Sequence, residues 1–363
     1  MMLVVNAGSS SIKLAVFDAS LHAVLTGSVT EIGGAGRLKI GVVDQACFAR
    51  DHQAALALAF QAMAQPGVAL ADLTAAAHRV VHGGEALVKP ARVTPEVIAQ
   101  IEACVPLAPL HNPGNLTAIR ALGALAPDLP QFASFDTAFH ASNPAVAVAY
   151  ALPAAERARG LRRYGFHGIS YGGLVRQLRD LGALPDRLLA LHLGNGASLC
   201  AIKAGVSVAT TMGYSPLDGI TMGTRSGGMD GNAVLRLAEL HGVDAASRIL
   251  NRESGLLGLG GHSDMRALHG AGTAEAAFAV EHFCYWAVRH AGSMIAAMGG
   301  LDGIAFTGGI GENDALVRGR IVDGLAWAGP CAVHIVAAEE ERAIAADAMA
   351  LLAKDFPALL HLS

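Results

Sequence analysis

One unit occurs twice in this chain. An apolar strand, Leu3-Val4-Val5, runs into a turn of small and hydroxyl residues, Asn6-Ala7-Gly8-Ser9-Ser10-Ser11, and leaves through a second strand, Ile12 to Asp18. Far downstream, Leu188 to Leu193, then Gly194-Asn195-Gly196-Ala197-Ser198, then Leu199 to Lys203 repeat the order strand, small-residue turn, strand. Two strands joined by a short Gly-containing turn read as a hairpin. A hairpin repeated at this distance marks duplication of a domain and not of a solenoid unit. The expectation is an α/β protein of two similar domains, each presenting a hairpin turn to a shared cleft, and 363 residues suffice for both.

Composition removes several other classes. Hydrophobic residues make up 53% and mean hydropathy is +0.42, yet the richest stretch, Ala54 to Ala71, is broken by Gln61, Gln65, Pro66 and Gly67. A membrane span needs about 18–20 consecutive apolar residues, so no membrane segment is expected. A net charge of −4 gives no basic field for nucleic acid. Five cysteines (Cys47, Cys104, Cys200, Cys284, Cys331) form no CxxC pair and 15 histidines form no HExxH, so reduced thiols and no structural zinc are expected. Met1 to Asn6 lacks the cationic start and cleavage site of a signal peptide, which makes the cytoplasm the expected compartment.

Helical patterning covers Leu56 to Ala64 and Pro95 to Cys104, and an apolar strand, Phe132 to Phe135, ends on Asp136. Gly213 to Gly231 reads as a long Gly-rich loop, followed by helices around Ala233–His241 and Ala245–Asn251 and a long one from Ala274 to Met298. The strand Gly303 to Phe306 runs into Thr307-Gly308-Gly309-Ile310-Gly311-Glu312-Asn313, and the tail from Glu339 favours helix.

Glycine-rich turns after strands let backbone N–H groups approach a phosphate, and three are present: Asn6 to Ser11, Gly194 to Ser198, and Gly308 to Glu312. One alone is usually only a turn; three, each after an apolar strand, point to phosphate. No GxxxxGK[ST] occurs and no GxGxxG opens an early βαβ unit, so P-loop and Rossmann readings fall. Lys13 has the reach for a terminal phosphate, and the Asn6 amide oxygen suits Mg²⁺ or its waters. Arg and His gather beside glycine in His78-Arg79-Val80-Val81-His82-Gly83-Gly84, Leu110-His111-Asn112-Pro113, Tyr164-Gly165-Phe166-His167-Gly168 and Met222-Gly223-Thr224-Arg225-Ser226-Gly227, a composition that suits neutralisation of a small anion. Asp136, at a strand's end between Phe135 and Phe139, is placed as a general base, metal ligand or orienting group.

The strings NAGSSSIK, HRVVHGG, PLHNPGN, FDTAFH, RRYGFHG, HLGNGAS, MGTRSG, SGLLGL and FTGGIGEN, in this order, closely resemble the acetate and butyrate kinase family, within the sugar kinase, Hsp70 and actin superfamily. The resemblance runs from Val4 to about Ala348. It implies a duplicated actin-like, ribonuclease H-like fold flanking an ATP cleft, and reversible transfer of the γ-phosphoryl of ATP to acetate with Mg²⁺, or Mn²⁺ in its place. It further implies a homodimer. On this likeness the domains are 1–138, rejoined by a last helix over 342–363, and 139–341, with hinge closure excluding water.

By the same resemblance, Asn6 and Glu340 serve the metal, and Ser9, Ser11 and Lys13 surround the phosphates. Arg79 holds the acetate carboxylate, Asp136 is the active-site acid, and His111, His167 and Arg225 stabilise the transferring phosphoryl. Nucleotide contacts fall on His192, Leu193, Gly194, Asn195 and Gly196, on Asp264, Met265 and Arg266, and on Gly308, Gly309, Ile310, Gly311 and Glu312. Val81, Leu110, Phe166 and Pro216 surround the acceptor methyl, bulky enough to favour acetate over butyrate. The rivals are a propionate or butyrate kinase and, from another class, an actin-like protein using ATP as a switch.

Three departures from the family pattern stand out. Ala338-Glu339-Glu340-Glu341 replaces the usual Thr-Asn-Glu-Glu, Gly228 stands where an acidic residue usually follows MGTRSG, and the chain is short between Ser20 and Gln53. None removes a residue assigned to phosphoryl transfer.

Overall fold

The structure, a computed structural model, describes residues 1–8 and 10–355; Ser9 and the segment 356–363 with which the first domain was expected to close lie outside the described residues. The chain divides into two compact units, Met1–Ala138 with the segment that starts at Glu339, and Phe139–Ala338.

The first unit is built on an eight-stranded sheet of β1 (Met2–Ala7), β2 (Ile12–Phe17), β3 (Ala23–Thr30), β4 (Gly36–Ile40), β5 (Val43–Cys47), β6 (Ala75–Val80), β7 (Ala91–Arg92) and β8 (Gln131–Phe135), in the order β5-β4-β3-β2-β1-β6-β8-β7. The second unit carries a five-stranded sheet of β9 (Arg187–Leu193), β10 (Ala197–Lys203), β11 (Val206–Thr210), β12 (Gly303–Thr307) and β13 (Ala332–Ile335), in the order β11-β10-β9-β12-β13. Without β4, β5 and β7 the two sheets share one pattern. β3-β2-β1 and β11-β10-β9 are antiparallel meanders, while β1-β6-β8 and β9-β12-β13 are parallel.

The stretch from Ser20 to Gln53, where the chain is short, holds β3, β4 and β5, which widen the first sheet. The third glycine-rich segment also differs from expectation, because Gly308–Asn313 is a short helix and not a turn.

Strand parity decides which residues share a face, since successive side chains point to opposite sides. Leu3, Val5, Ile12, Leu14 and Ala76 pack with Leu56, Met63 and Leu122 of the helices His52–Ala64 and Asn112–Leu125. The opposite face is covered by the helix Glu340–Asp355, which lies against β1, β6 and β8 and is tied to them by Ser134 Oγ donating to Asp347 at 3.1 Å. In the second unit Leu188, Ala190, Cys200 and Ile202 pack against Tyr171, Leu174 and Leu178 of the helix Gly168–Asp180. The long helix Ala274–Met298, at the bounds its apolar pattern predicts, packs against β9 and β10.

Candidate active site

In the first unit Asn6, Arg79 and Asp136 stand at or just past the C-terminal ends of β1, β6 and β8, three neighbouring strands. Parity puts all three on the face covered by the helix that starts at Glu340. The crevice at the carboxyl ends of parallel strands is the general location of ligand sites in open α/β sheets.

Arg79 Nε donates to Asp136 Oδ1 and Oδ2 at 3.2 and 3.1 Å, and Nη2 to Oδ2 at 2.6 Å. Its Nη1 points to Asn6 Oδ1 at 3.5 Å. Asp136 is thus oriented by the guanidinium and not by the flanking aromatics alone. Burial pushes the Asp136 carboxyl up, the Arg79 charge pulls it back, and Glu340 adds to the rise. The Glu340 carboxyl is raised by burial, opposed by Arg79 and reinforced by Glu341. The Asp136 and Glu340 carboxyls and the Asn6 amide oxygen are hard oxygen donors of the kind Mg²⁺ takes. Among the described residues no cluster of three or more His, Cys, Asp or Glu forms a closed metal cage. Mg²⁺ does not need one, because it keeps waters and binds through one or two carboxylates plus substrate phosphates. Asn6 and Glu340 therefore fit the ion assigned to them.

The first turn is closed on itself. Gly8 N–H donates to Ser11 O at 2.8 Å, and the buried His52 holds the Gly8 carbonyl through Nε2 at 2.8 Å. Lys13 is exposed on β2, opposite Asn6 in the hairpin register. His111 stands at the N-cap position of the helix Asn112–Leu125; Val81, just past the end of β6, is buried, while Leu110 is 49% exposed.

The second unit gathers imidazoles. His167, left-handed at φ +59°, precedes the helix Gly168–Asp180, and its ring stacks on His192 with centroids 4.2 Å apart. His167 Nδ1 lies 2.9 Å from Ser198 Oγ, and His192 Nδ1 lies 2.8 Å from Ser170 Oγ. Gly196 lies close under both side chains: a Cβ there would stand 2.8 Å from Arg225 Nη2 and 3.2 Å from His167 Nε2. Arg225 Nη1 donates to Pro216 O at 2.6 Å, and the buried Phe166 accepts His140 Nε2 at 2.9 Å. The structure thus brings His167, His192, Gly196 and Arg225 together.

A cavity of about 710 Å³ in the same unit is lined by Gly194, Asn195, Asp264, Met265, Arg266, Gly309 and Ile310, all expected from sequence. Its other walls, Ser263, His269 and the run Asn313, Asp314, Ala315 and Leu316, were not expected. His269 Nε2 meets Asp314 Oδ2 at 2.7 Å, joining the helix Met265–Ala271 to the helix Ala315–Gly324. Asp264 caps its own helix and is held by Arg266 through bonds of 3.1 and 2.6 Å, which bring its carboxyl down to about 2.

Leu193, Gly308, Gly311 and Glu312 do not line this cavity. Glu312 Oε1 accepts Gly308 N–H at 3.1 Å and Ala338 N–H at 3.0 Å, so this carboxylate is occupied as a tie within the protein. Gly308 sits at φ +78° with Leu193 O only 2.7 Å from where a Cβ would be, which explains glycine there. Gly194 N–H likewise donates to Gly196 O at 3.0 Å. The N–H groups of Gly8, Gly194 and Gly308 are thus each engaged within their own segment.

The sequence profile of the Acetokinase family matches residues 1–347. The chain belongs to that family. An acetate kinase of Rhodopseudomonas palustris is 44% identical over 346 residues, covering 90% of this chain and 87% of the relative. The crystal structure of Porphyromonas gingivalis acetate kinase superposes with a TM-score of 0.91 at 33% identity, covering 97% of this chain and 99% of that one. A propionate kinase from Francisella tularensis does so at 0.91 and 32% identity, covering 95% and 98%. This acetokinase-family chain is a kinase with ATP as co-substrate, on the duplicated actin-like α/β fold. Among the described residues no helix is long and apolar enough to cross a membrane.

Proposed function

We propose that the enzyme transfers the γ-phosphoryl of ATP to acetate, reversibly, giving acetyl phosphate and ADP. The observation that carries this reading is the Arg79–Asp136 pair beside Asn6 and Glu340, in a chain of this family. An ATP-switch protein needs no guanidinium held at 2.6 Å by a carboxylate that is 2% exposed.

A carboxylate oxygen of acetate is a competent nucleophile at neutral pH. It attacks the γ-phosphorus, the bond from that phosphorus to the β-bridging oxygen breaks, and ADP leaves with its electron pair, so no proton has to move. Catalysis then consists of alignment and charge neutralisation. Arg79 receives the acetate carboxylate, with Asp136 fixing its fork; Val81, Leu110, Phe166 and Pro216 limit the acceptor's alkyl end. His111, His167 and Arg225 neutralise the phosphoryl oxygens, Ser9, Ser11 and Lys13 bind phosphates, and the cavity around Asp264, Arg266 and Gly309 takes the nucleoside. Asn6 and Glu340 would hold Mg²⁺, which when bound neutralises phosphate charge.

We take the enzyme to be a cytoplasmic homodimer. Its five free cysteines support the compartment, and exposed Phe278 and Tyr285 on the helix Ala274–Met298 support self-association. One methylene is worth only about 1–3 kcal/mol, so propionate is expected as a slower substrate and butyrate slower still.

Trapping with hydroxylamine tests the whole reading. Incubation with ATP, Mg²⁺ and acetate, propionate or butyrate is expected to give hydroxamate in that order of kcat/KM. ADP formation indifferent to the carboxylate, without hydroxamate, would sink it.

A further inference from the structure

The ladder between β1 and β6 ends at Val5, although both strands run two residues further. Its register sets Val5 opposite His78, so continuation would pair Ala7 C=O with Val81 N–H. The orientation of those groups is right for it: Ala76 N–H and Val80 C=O are used on the other side, against Pro130 O and Asp136 N, which turns the odd-numbered residues of β6 toward β1. β1 itself remains paired with β2 through Ala7.

The missing rung is filled by a side chain. Asn115, 3% exposed in the helix Asn112–Leu125, accepts Val81 N–H through Oδ1 at 3.1 Å and donates through Nδ2 to Ala7 O at 2.7 Å. Its carboxamide copies a peptide group, satisfying both strands while holding them apart. Asn112, one turn earlier and fully buried, accepts His82 N–H at 3.1 Å and donates to His82 O at 3.0 Å, which pins the helix to the same extension of β6.

The two groups kept apart are Asn6–Gly8, the start of the phosphate turn, and Arg79–Val81, the acceptor strand. Resting on the acetate kinase reading above, we infer that Asn115 is a positioning residue, an inserted rung that sets the spacing between the phosphate turn and the carboxylate-binding arginine. It touches no substrate. Its effect is on alignment, where displacement by about 1 Å can cost on the order of 100-fold in rate.

The test is Asn115→Asp. The carboxylate still accepts Val81 N–H but presents a second acceptor to the Ala7 carbonyl. Per folded molecule, with the folded fraction measured by thermal melting, kcat should fall about 30- to 100-fold while KM for acetate and for ATP stay within about threefold. As pH drops from 8 to 6 the variant should regain activity relative to the unaltered enzyme, because the protonated acid restores the missing donor. If the variant does not fold, Asn115→Ala replaces it with the same kinetic split expected. A kcat per folded molecule within threefold of the original, or a loss explained wholly by unfolded protein, overturns the inference. Absence of acetyl hydroxamate from the unaltered enzyme would instead overturn the functional reading.

Discussion

Equivalent places in the two duplicated sheets carry opposite chemistry. Counting back from the turn glycine, Asn6 on β1 corresponds to His192 on β9, and their hairpin partners are Lys13 and Ser198. One strand over, the position of Arg79 corresponds to Thr307, which faces His192 across the β9–β12 ladder. The helix covering that face begins at Glu340 in the first unit and directly follows His167 in the second. The first unit thus holds charges of both signs, while the second holds stacked imidazoles, hydroxyls and the loop arginine Arg225. The two sheets share one frame but differ in the side chains at matching positions; under the proposed function the charged side would take a carboxylate and a cation, and the imidazole side a phosphoryl group.

The sharpest way to break this division is to remove one arginine from each side. Arg225→Ala should lower kcat by about 10³-fold with KM for acetate nearly unchanged, whereas Arg79→Ala should mainly raise that KM, by about 10- to 100-fold. Steady-state kinetics with varied acetate tell them apart, and one shared pattern for both variants would end the assignment of separate roles.

Next in size is Gly196→Ala, which places a methyl 2.8 Å from Arg225 Nη2 and 3.2 Å from His167 Nε2. Displacing both from the imidazole side should reduce kcat about 10- to 100-fold with an unchanged melting temperature. A native kcat would show that this cluster does not depend on close approach.

Acid tests both sides at once. Buried His78 in the first unit and buried His140 in the second are each brought down to about 4 by desolvation. The unfolded chain takes up these protons near pH 6.5 and the folded one does not, so stability is complete above pH 6.5 and falls between there and about pH 4. The loss reaches about 3 kcal/mol per histidine. Urea midpoints at pH 7 and pH 5 should differ accordingly, and a flat profile would mean that neither ring is held neutral.

The smallest effect is expected at the cavity. His269→Ala removes the 2.7 Å contact with Asp314 and should raise KM for ATP about three- to tenfold, leaving KM for acetate alone. Equal shifts in both would disconnect this pair from nucleotide binding.

The sequence made legible what local pattern encodes. Both hairpins, the long helix Ala274–Met298 and the strand ending at Asp136 stand where apolar periodicity and turn residues place them. Ser20 to Gln53 was harder, because β5 (Val43-Asp44-Gln45-Ala46-Cys47) is a polar edge strand without a buried face. Gly308–Asn313 looked like a turn since three glycines suggest one; the helix forms because Glu312 reaches back to its first amide. The His269–Asp314 contact and the Asn115 rung join residues far apart in the chain, and no local pattern announces either.

The chain leaves its first unit after Ala138 and returns at Glu339. The second unit is one unbroken stretch, and the helix that covers the Asn6, Arg79 and Asp136 face of β1, β6 and β8 comes after it. On the ribosome, therefore, the second unit can finish folding while the first still exposes one side of its sheet, a side covered only after the helix Glu340–Asp355 has been made.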